Sequence, residues 1–185
     1  ANSDITIACM GLAPVLEGEE GDAMLSTRAG DRADIGLPAA QVEYITKLAN
    51  KGARIVLVLT GGSPIALGPV ADLVEAIVFV WYPGQEGGRA VAEVLFGDTA
   101  PSGKLPLTFP ASLEQLPPFE DYNMAGRTYR YMTADPLFPF GFGLSYTRFG
   151  YSDLELSAQQ IGKGESVEVS FTLSNLGSVE AEEVV

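Results

Sequence analysis

The chain has 185 residues, of which 46% are hydrophobic and 19% are charged, and its formal net charge is −13. This composition is typical of a folded chain with a core, and so negative a chain would be repelled by the phosphates of nucleic acid. No apolar stretch approaches the roughly 20 residues of a membrane helix, so no membrane partner is expected.

Two residue types restrict the chemistry. The sequence has no histidine, which excludes Ser-His-Asp and Cys-His machinery and His-ligated zinc. Cys9 is the only cysteine, so no intrachain disulfide can form, and its apolar neighbours predict a small buried hydrophobe. Any acid–base chemistry in this chain must therefore use carboxylates, lysine or tyrosine.

Near its start the sequence turns from apolar to acidic. Residues 4–12 are almost continuously apolar, which predicts a strand covered on both faces. The stretch LEGEEGD, Leu16–Asp22, then places four carboxylates among glycines. Their mutual repulsion is costly unless the stretch is solvated, binds a cation or transfers protons. An EF-hand is disfavoured because the register lacks its glutamate at the twelfth position; a solvated loop or another calcium site remains open.

The following residues alternate between helical and extended patterns. A helix is predicted over 37–52, with Pro38 in its first turn and an apolar stripe of Val42, Ile45, Leu48 and Ala49. The further predicted elements are a strand at 54–60, a short helix at 69–74, a strand at 76–84 and a helix at 85–98. This alternation predicts an α/β fold, a layered sheet with helices on its faces.

The glycine-rich stretches TGGSP, Thr60–Pro64, and PGQEGG, Pro83–Gly88, each follow a predicted strand. Both are interpreted as tight turns. The second precedes a helix, so its amides are also candidates for binding an anion, but neither stretch has the Lys-Ser/Thr ending of a P-loop. Ser63 has no base partner in the sequence that would make it a nucleophile.

The pattern changes twice in the last third of the chain. Residues 110–143 hold prolines, aromatics and glycines without a period, which predicts a long ordered loop with aromatic side chains packed beneath it. Residues 166–185 begin with period-two alternation, which is typical of a hairpin in a sandwich. Because a seven-stranded sandwich needs about 100 residues, this end of the chain is expected to be a truncated all-β sandwich-like segment.

Three long strings carry a family resemblance: Trp81–Pro110, Gly126–Met132 (GRTYRYM) and Pro136–Leu154. They resemble the C-terminal part of glycoside hydrolase family 3, which contains β-glucosidases and β-xylosidases, and the acidic stretch most resembles the β-xylosidase-like branch. The resemblance implies a barrel with an aspartate nucleophile, then an α/β sandwich domain, then a fibronectin type III-like domain. It assigns residues 1–150 to the sandwich domain and 151–185 to the first strands of the third domain.

The resemblance also implies a catalytic residue. A retaining glycosidase uses two carboxyl groups about 5–5.5 Å apart, a nucleophile and a proton donor. The motif match assigns the general acid/base to Glu17, with Glu19 as the alternative. The negative charges of Glu19, Glu20 and Asp22 are expected to raise the pKa of Glu17 and keep it protonated.

The expected ligand is an oligosaccharide or β-glycoside ending in β-linked glucose or xylose. Trp81, Tyr129 and Tyr131 are expected to stack on its sugar ring, whose C–H faces suit aromatic surfaces. No metal and no cofactor are expected, the protein partner is the N-terminal barrel of the same enzyme, and a periplasmic or secreted location is favoured. Two other functions stay open: a carbohydrate-binding module without catalysis, and a small-molecule-binding α/β domain.

Overall fold

The computed structural model describes residues 3–18 and 32–185. The chain divides into two compact units. The first is drawn from residues 1–91 and 105–142, and the second from residues 92–104 and 143–185. No helix within the described ranges is long and apolar enough to cross a membrane.

The first unit is built on a parallel sheet of three strands in the order β1-β2-β3. The strands are β1 (Thr6–Gly11), β2 (Ile55–Thr60) and β3 (Ala76–Trp81). The helices of the described residues are α1 (Pro14–Glu17), α2 (Ala39–Asn50), α3 (Gly87–Phe96) and α4 (Thr128–Tyr131), with 3₁₀ helices at Gly68–Leu73 and Leu113–Gln115. Because α2 connects β1 to β2 and the first 3₁₀ helix connects β2 to β3, the predicted α/β fold is confirmed.

The core lies between α2 and one face of this sheet. Ile45 of α2 is completely buried there, and Leu57 of the central strand lies between Ala8 and Ile77 on the same face. The other fully buried large side chains among the described residues are Ile55, Leu59, Ile65 and Val70. The rest of the predicted α2 stripe packs against this cluster, as expected for an amphipathic helix.

The opposite face of β1 is exposed, so two predictions are wrong. Ile7 and Cys9 are exposed while Ala8 between them is buried, so β1 alternates instead of being covered on both faces. Successive side chains of a strand point to opposite sides, and a continuous apolar run does not reveal which side is covered. Cys9 is therefore an exposed thiol on an edge strand and not a small buried hydrophobe.

Within the first unit, a few backbone hydrogen bonds tie the end of the predicted long loop to the segment that precedes the loop. Phe109 and Phe138 exchange N–H···O bonds of 2.9 and 3.3 Å, and the Leu105 amide donates to the Phe142 carbonyl at 2.8 Å. The Phe109 ring is 2% exposed, and its centroid lies 5.1 Å from that of Phe79 in β3. Phe138 packs against the core cluster, as the sequence predicts for the loop aromatics, but Phe140 and Phe142 are exposed, at 47% and 37%, so the prediction is wrong for these two rings.

The second unit contains an antiparallel pair, β4 (Phe149–Leu156) and β5 (Val169–Asn175). The period-two pattern predicted the strand at β5. A bulge interrupts the pairing in β4, where Asp153 has φ +55°. The apolar side chains of the pair remain exposed, with Leu154 at 71%. Two strands without a covered face are marginally stable in water.

Candidate functional site

The carboxyl ends of the three parallel strands bring polar groups together. Glu17 follows β1 at the end of α1, Gly62 and Ser63 follow β2, and Tyr82 follows β3. Parallel strands end at one edge of a sheet, and open α/β sheets bind their ligands outside that edge. We call Glu17, Arg32, Gly62, Ser63 and Tyr82 the sheet-edge site.

A close backbone approach fixes the chain where it leaves β1. Gly11 has φ +125°, and a Cβ there would lie 2.1 Å from the Thr60 carbonyl oxygen, so only glycine fits. The Gln41 amide accepts from the Gly11 N–H and donates to its carbonyl, both at 2.8 Å. The Thr60 hydroxyl donates to the Leu12 carbonyl at 3.0 Å. These bonds hold the short segment that carries Glu17.

The half-buried Glu17 carboxylate accepts hydrogen bonds from the ends of the other two strands, β2 and β3. The Gly62 amide lies 3.1 Å from Oε1 and 3.3 Å from Oε2. The Ser63 hydroxyl donates to Oε1 at 2.9 Å, and the Tyr82 hydroxyl donates to Oε2. A Cβ on Gly62 would lie 3.0 Å from both Glu17 Oε2 and the Tyr82 ring, so this glycine lets the carboxylate approach the backbone.

Arg32 supports the site from behind Ser63. Its Nη1 donates to the Ser63 hydroxyl at 2.8 Å and to the Pro64 carbonyl at 3.3 Å, and its Nη2 donates to the Gly36 carbonyl at 3.2 Å. The guanidinium thereby ties the turn after β2 to the segment that follows the acidic stretch. Its positive charge also faces the Glu17 carboxylate.

The backbone of Trp81 aims Tyr82 at this site. Trp81 has φ +53°, a left-handed conformation that costs a non-glycine residue about 1–3 kcal/mol and that often marks functional sites. Its carbonyl accepts from the Gly61 amide at 3.3 Å, and its half-buried ring centroid lies 4.6 Å from that of Phe79. The turn at Trp81 ends the strand's alternation, and the next side chain reaches Glu17. The sugar-stacking role of Trp81 itself stays a prediction.

The sheet-edge site favours the charged form of Glu17. Partial burial raises the pKa of Glu17, but hydrogen bonds from Tyr82, Ser63 and Gly62 and the charge of Arg32 lower it below its ordinary value overall. Burial and the bond to the Glu17 carboxylate raise the pKa of Tyr82 to about 12. Burial lowers the pKa of Arg32, which nevertheless remains positive.

The expected raised pKa of Glu17 is therefore wrong for the described residues. The prediction counted acidic neighbours in the sequence, whereas donors from two other strands reverse the direction of the shift. Glu19, the alternative acid/base, lies outside the described residues, as do Glu20 and Asp22. So does most of the acidic stretch considered for calcium, and among described residues no group of three or more His, Cys, Asp or Glu could hold a metal ion.

The two predicted tyrosines lie on α4 and are about half exposed, Tyr129 at 57% and Tyr131 at 50%. The Tyr129 ring stacks on Phe140 with centroids 4.6 Å apart, and the Arg130 guanidinium lies 5.7 Å from its centroid. The side chain of Arg127 fixes the preceding turn by donating to the carbonyls of Pro118, Asp121 and Asn123. The contact of Tyr129 and Tyr131 with a sugar stays a prediction.

Sequence reasoning missed three members of the site. The sequence pattern presents Ser63 only as a turn residue without a base partner, and it does not single out Tyr82 or Arg32. The one usable signal was topological: consecutive parallel strands place the residues after each strand at one edge. The second glycine-rich stretch, after β3, is indeed a strand-to-helix turn, with Gly84 at φ +71° and α3 beginning at Gly87.

An α/β domain with a carboxylate held at its sheet edge is the class of protein that the fold and the site define. The model of the family described as glycosyl hydrolase family 3 C-terminal domain matches residues 1–146. The chain therefore belongs to this family, as the sequence motifs predict.

Similar proteins agree with this assignment. The chain is 47% identical over 180 residues to a xylan 1,4-beta-xylosidase of Xylanibacter ruminicola, covering 97% of this chain and 21% of that protein. It is 39% identical over 173 residues to a periplasmic beta-glucosidase of Salmonella typhimurium, covering 87% of this chain and 23% of that protein. The crystal structure of a GH3 beta-glucosidase from Bifidobacterium adolescentis matches with a TM-score of 0.75 and 29% identity, over 97% of this chain and 27% of that one. The chain thus spans about a quarter or less of the length of these relatives.

Proposed function

We propose that this chain is the C-terminal part of a retaining β-glycosidase that releases terminal β-linked glucose or xylose, and that Glu17 is its general acid/base. The observation that carries the proposal is the Glu17 carboxylate at the sheet edge, held by donors from two other strand ends. Membership of the family, with relatives named as β-xylosidases and β-glucosidases, supports the reaction class.

In this proposal Glu17 transfers a proton in each half of the reaction. An aspartate of the N-terminal barrel, outside these 185 residues, attacks the anomeric carbon while Glu17 protonates the leaving oxygen. Glu17 then removes a proton from the water that releases the sugar. The charged form of Glu17, which the donors of the sheet-edge site favour, is the form required in the second half.

The first half needs protonated Glu17, and the negative charge of the barrel nucleophile is suited to keep Glu17 protonated. A second carboxylate within about 5–5.5 Å disfavours a further negative charge, so it raises the pKa of Glu17. Once the nucleophile is esterified by the sugar, its charge is gone, and the donors of the sheet-edge site again lower that pKa. Without the barrel the 185-residue chain is expected to hydrolyse no glycosides.

The remaining roles follow from the same assignment. Residues 1–150 form the α/β sandwich domain, residues 151–185 begin a fibronectin type III-like domain, and the N-terminal barrel is the partner in the same enzyme. Trp81, Tyr129 and Tyr131 contact the sugar, and the similarity to a periplasmic beta-glucosidase supports a periplasmic or secreted enzyme. Tyr131→Ala should raise KM for a disaccharide more than it lowers kcat, because stacking holds the substrate before and during reaction alike.

The acid/base role is tested with two leaving groups in the full-length enzyme. A basic leaving group needs protonation, whereas a dinitrophenolate leaves without it. Glu17→Ala should lower the hydrolysis of a disaccharide by about 10²–10⁴-fold. It should slow glycosylation by a dinitrophenyl glycoside far less, and the release of the sugar, which needs the base, should become limiting.

Glu19→Ala is the matched control, because it removes the alternative acid/base two residues away. Under this assignment it affects both substrates alike and modestly. If Glu19→Ala shows the leaving-group pattern and Glu17→Ala does not, the assignment is wrong by two residues. If neither variant shows it, the acidic stretch does not supply the acid/base.

A further inference from the structure

The two oxygens of the Glu17 carboxylate face different kinds of donor. Oε1 accepts from the Gly62 amide at 3.1 Å and from the Ser63 hydroxyl at 2.9 Å. An amide N–H can only donate. The Ser63 oxygen accepts from Arg32 Nη1 at 2.8 Å, and Glu17 is the one acceptor that the described residues offer its proton, so the Ser63 hydroxyl donates to Oε1. Oε1 therefore meets an amide that cannot reverse and a hydroxyl whose orientation Arg32 favours, so a proton on Oε1 would cost at least one of these two bonds.

Oε2 faces a donor that can reverse. Its partner is the Tyr82 hydroxyl, and a phenol can donate to a carboxylate or accept from a carboxylic acid. The Gly62 amide, 3.3 Å from Oε2, also interacts with the Tyr82 oxygen, so it keeps an acceptor in either arrangement. Of the two hydroxyls that bond to Glu17, Ser63 already accepts from Arg32, so Tyr82 is the one better placed to serve both protonation states.

We propose that Glu17 carries its acid proton on Oε2 and that Tyr82 is the positioning residue whose hydrogen bond reverses as that proton leaves and returns. The inference rests on the proposed function of Glu17. When the substrate binds, the Oε2–H turns from the Tyr82 oxygen to the leaving oxygen. As the glycosidic C–O bond breaks, the proton moves to that oxygen, and the Tyr82 hydroxyl turns to donate to the Oε2 that the proton has left. In the second half, Oε2 takes a proton from the water whose oxygen bonds to the anomeric carbon, and the hydroxyl turns back.

The surrounding charges leave Glu17 as the group that titrates in this site. Among the described residues, the charged or titratable groups that face Glu17 are Tyr82 and Arg32, and Arg32 in turn faces Asp34. Arg32 stays positive, and Tyr82, with its pKa of about 12, stays protonated over the working range. The alkaline limb of kcat/KM against pH therefore reports the proton on Glu17, because the free enzyme must hold that acid.

The test compares two substitutions of Tyr82 in the full-length enzyme with a disaccharide substrate. Tyr82→Phe removes the donor to the carboxylate, so the alkaline limb should move to higher pH. Tyr82→3-fluorotyrosine adds one small atom and makes the hydroxyl a better donor and a poorer acceptor, so the limb should move to lower pH. We also expect Tyr82→Phe to slow release of the sugar from the covalent intermediate by about tenfold or more, because the lost bond is to a charged group. A merely structural role would not move the limb in opposite directions in two folded variants.

Ser63 provides the matched comparison. Ser63→Ala removes a donor that serves only the anion, so the limb should again move to higher pH, and Ser63→Thr, which keeps the hydroxyl, should restore it. If both Tyr82 variants leave the limb unchanged, or move it in the same direction, the inference is overturned. The leaving-group pattern of Glu17→Ala distinguishes the failures: if that pattern holds while the Tyr82 variants have no effect, Glu17 is the acid/base and only the role of Tyr82 is wrong.

Discussion

The parallel sheet of the first unit and the antiparallel pair of the second differ in what covers them. Leu57 and Leu59 of β2 are at most 1% exposed beneath α2, whereas Leu154 and Leu156 of β4 are 71% and 53% exposed. Both regions are rich in apolar residues, so composition does not separate them. What separates them is a covered face, and the covered sheet is also the one whose strand ends hold a polar site in fixed geometry.

The largest expected difference is in hydrogen exchange. Amides of β2 are bonded on both sides within a buried sheet, so they should exchange only when the unit unfolds. Amides of β5 belong to an exposed pair and should exchange by local opening. In the 185-residue chain we expect β2 amides to exchange at least about 10³-fold more slowly than those of β5. Equal protection of the two strands would contradict the difference in burial between β2 and β5.

A pair of truncations measures the same difference in stability. Ile45→Ala removes a completely buried side chain and should lower the free energy of unfolding by about 3–5 kcal/mol in urea denaturation. Leu154→Ala is the control on the hairpin and should change it by less than about 0.5 kcal/mol, because the side chain is 71% exposed. A similar cost for both would mean that β4 is covered in solution.

Two glycine substitutions compare a crowded position at the sheet edge with an open position after α2. Gly11→Ala should cost about 3–4 kcal/mol, because a left-handed backbone and a Cβ 2.1 Å from the Thr60 carbonyl oxygen act together. Gly52→Ala shares the positive φ, +78°, but has nothing within 4 Å, so it should cost only about 1–2 kcal/mol. If thermal unfolding shows equal costs, the close approach that holds the Glu17 segment does not exist.

Local patterns predicted much of the fold. The apolar stripe of α2, centred on Ile45, and the buried run of β2 were both readable because they depend on neighbours in the sequence. The open face of β1 was not readable, since the run containing Ile7 and Cys9 has the composition of a strand that is buried on both faces. The alternation at β5 predicted the strand correctly.

The site was predictable only where a motif names it. Glu17 came from the family resemblance, but its partners Ser63, Tyr82 and Arg32 meet only after strand pairing, and the aim of Tyr82 depends on the left-handed backbone of Trp81. For the same reason the direction of the Glu17 pKa shift was wrong: nearby carboxylates are visible in a sequence, and donors from other strands are not. The acidic pattern alone also fitted a solvated loop.

Trapping the covalent intermediate with azide tests the assignment of Glu17 most directly. Water needs a base to release the sugar, but azide is already an anion and needs none. In full-length Glu17→Ala, azide should accelerate turnover of a dinitrophenyl β-glycoside and yield the β-glycosyl azide, since two inversions retain the anomer. The unsubstituted enzyme and Glu120→Ala, which removes an exposed carboxylate elsewhere, should show no acceleration. If azide neither accelerates Glu17→Ala nor yields the glycosyl azide, Glu17 is not the general acid/base.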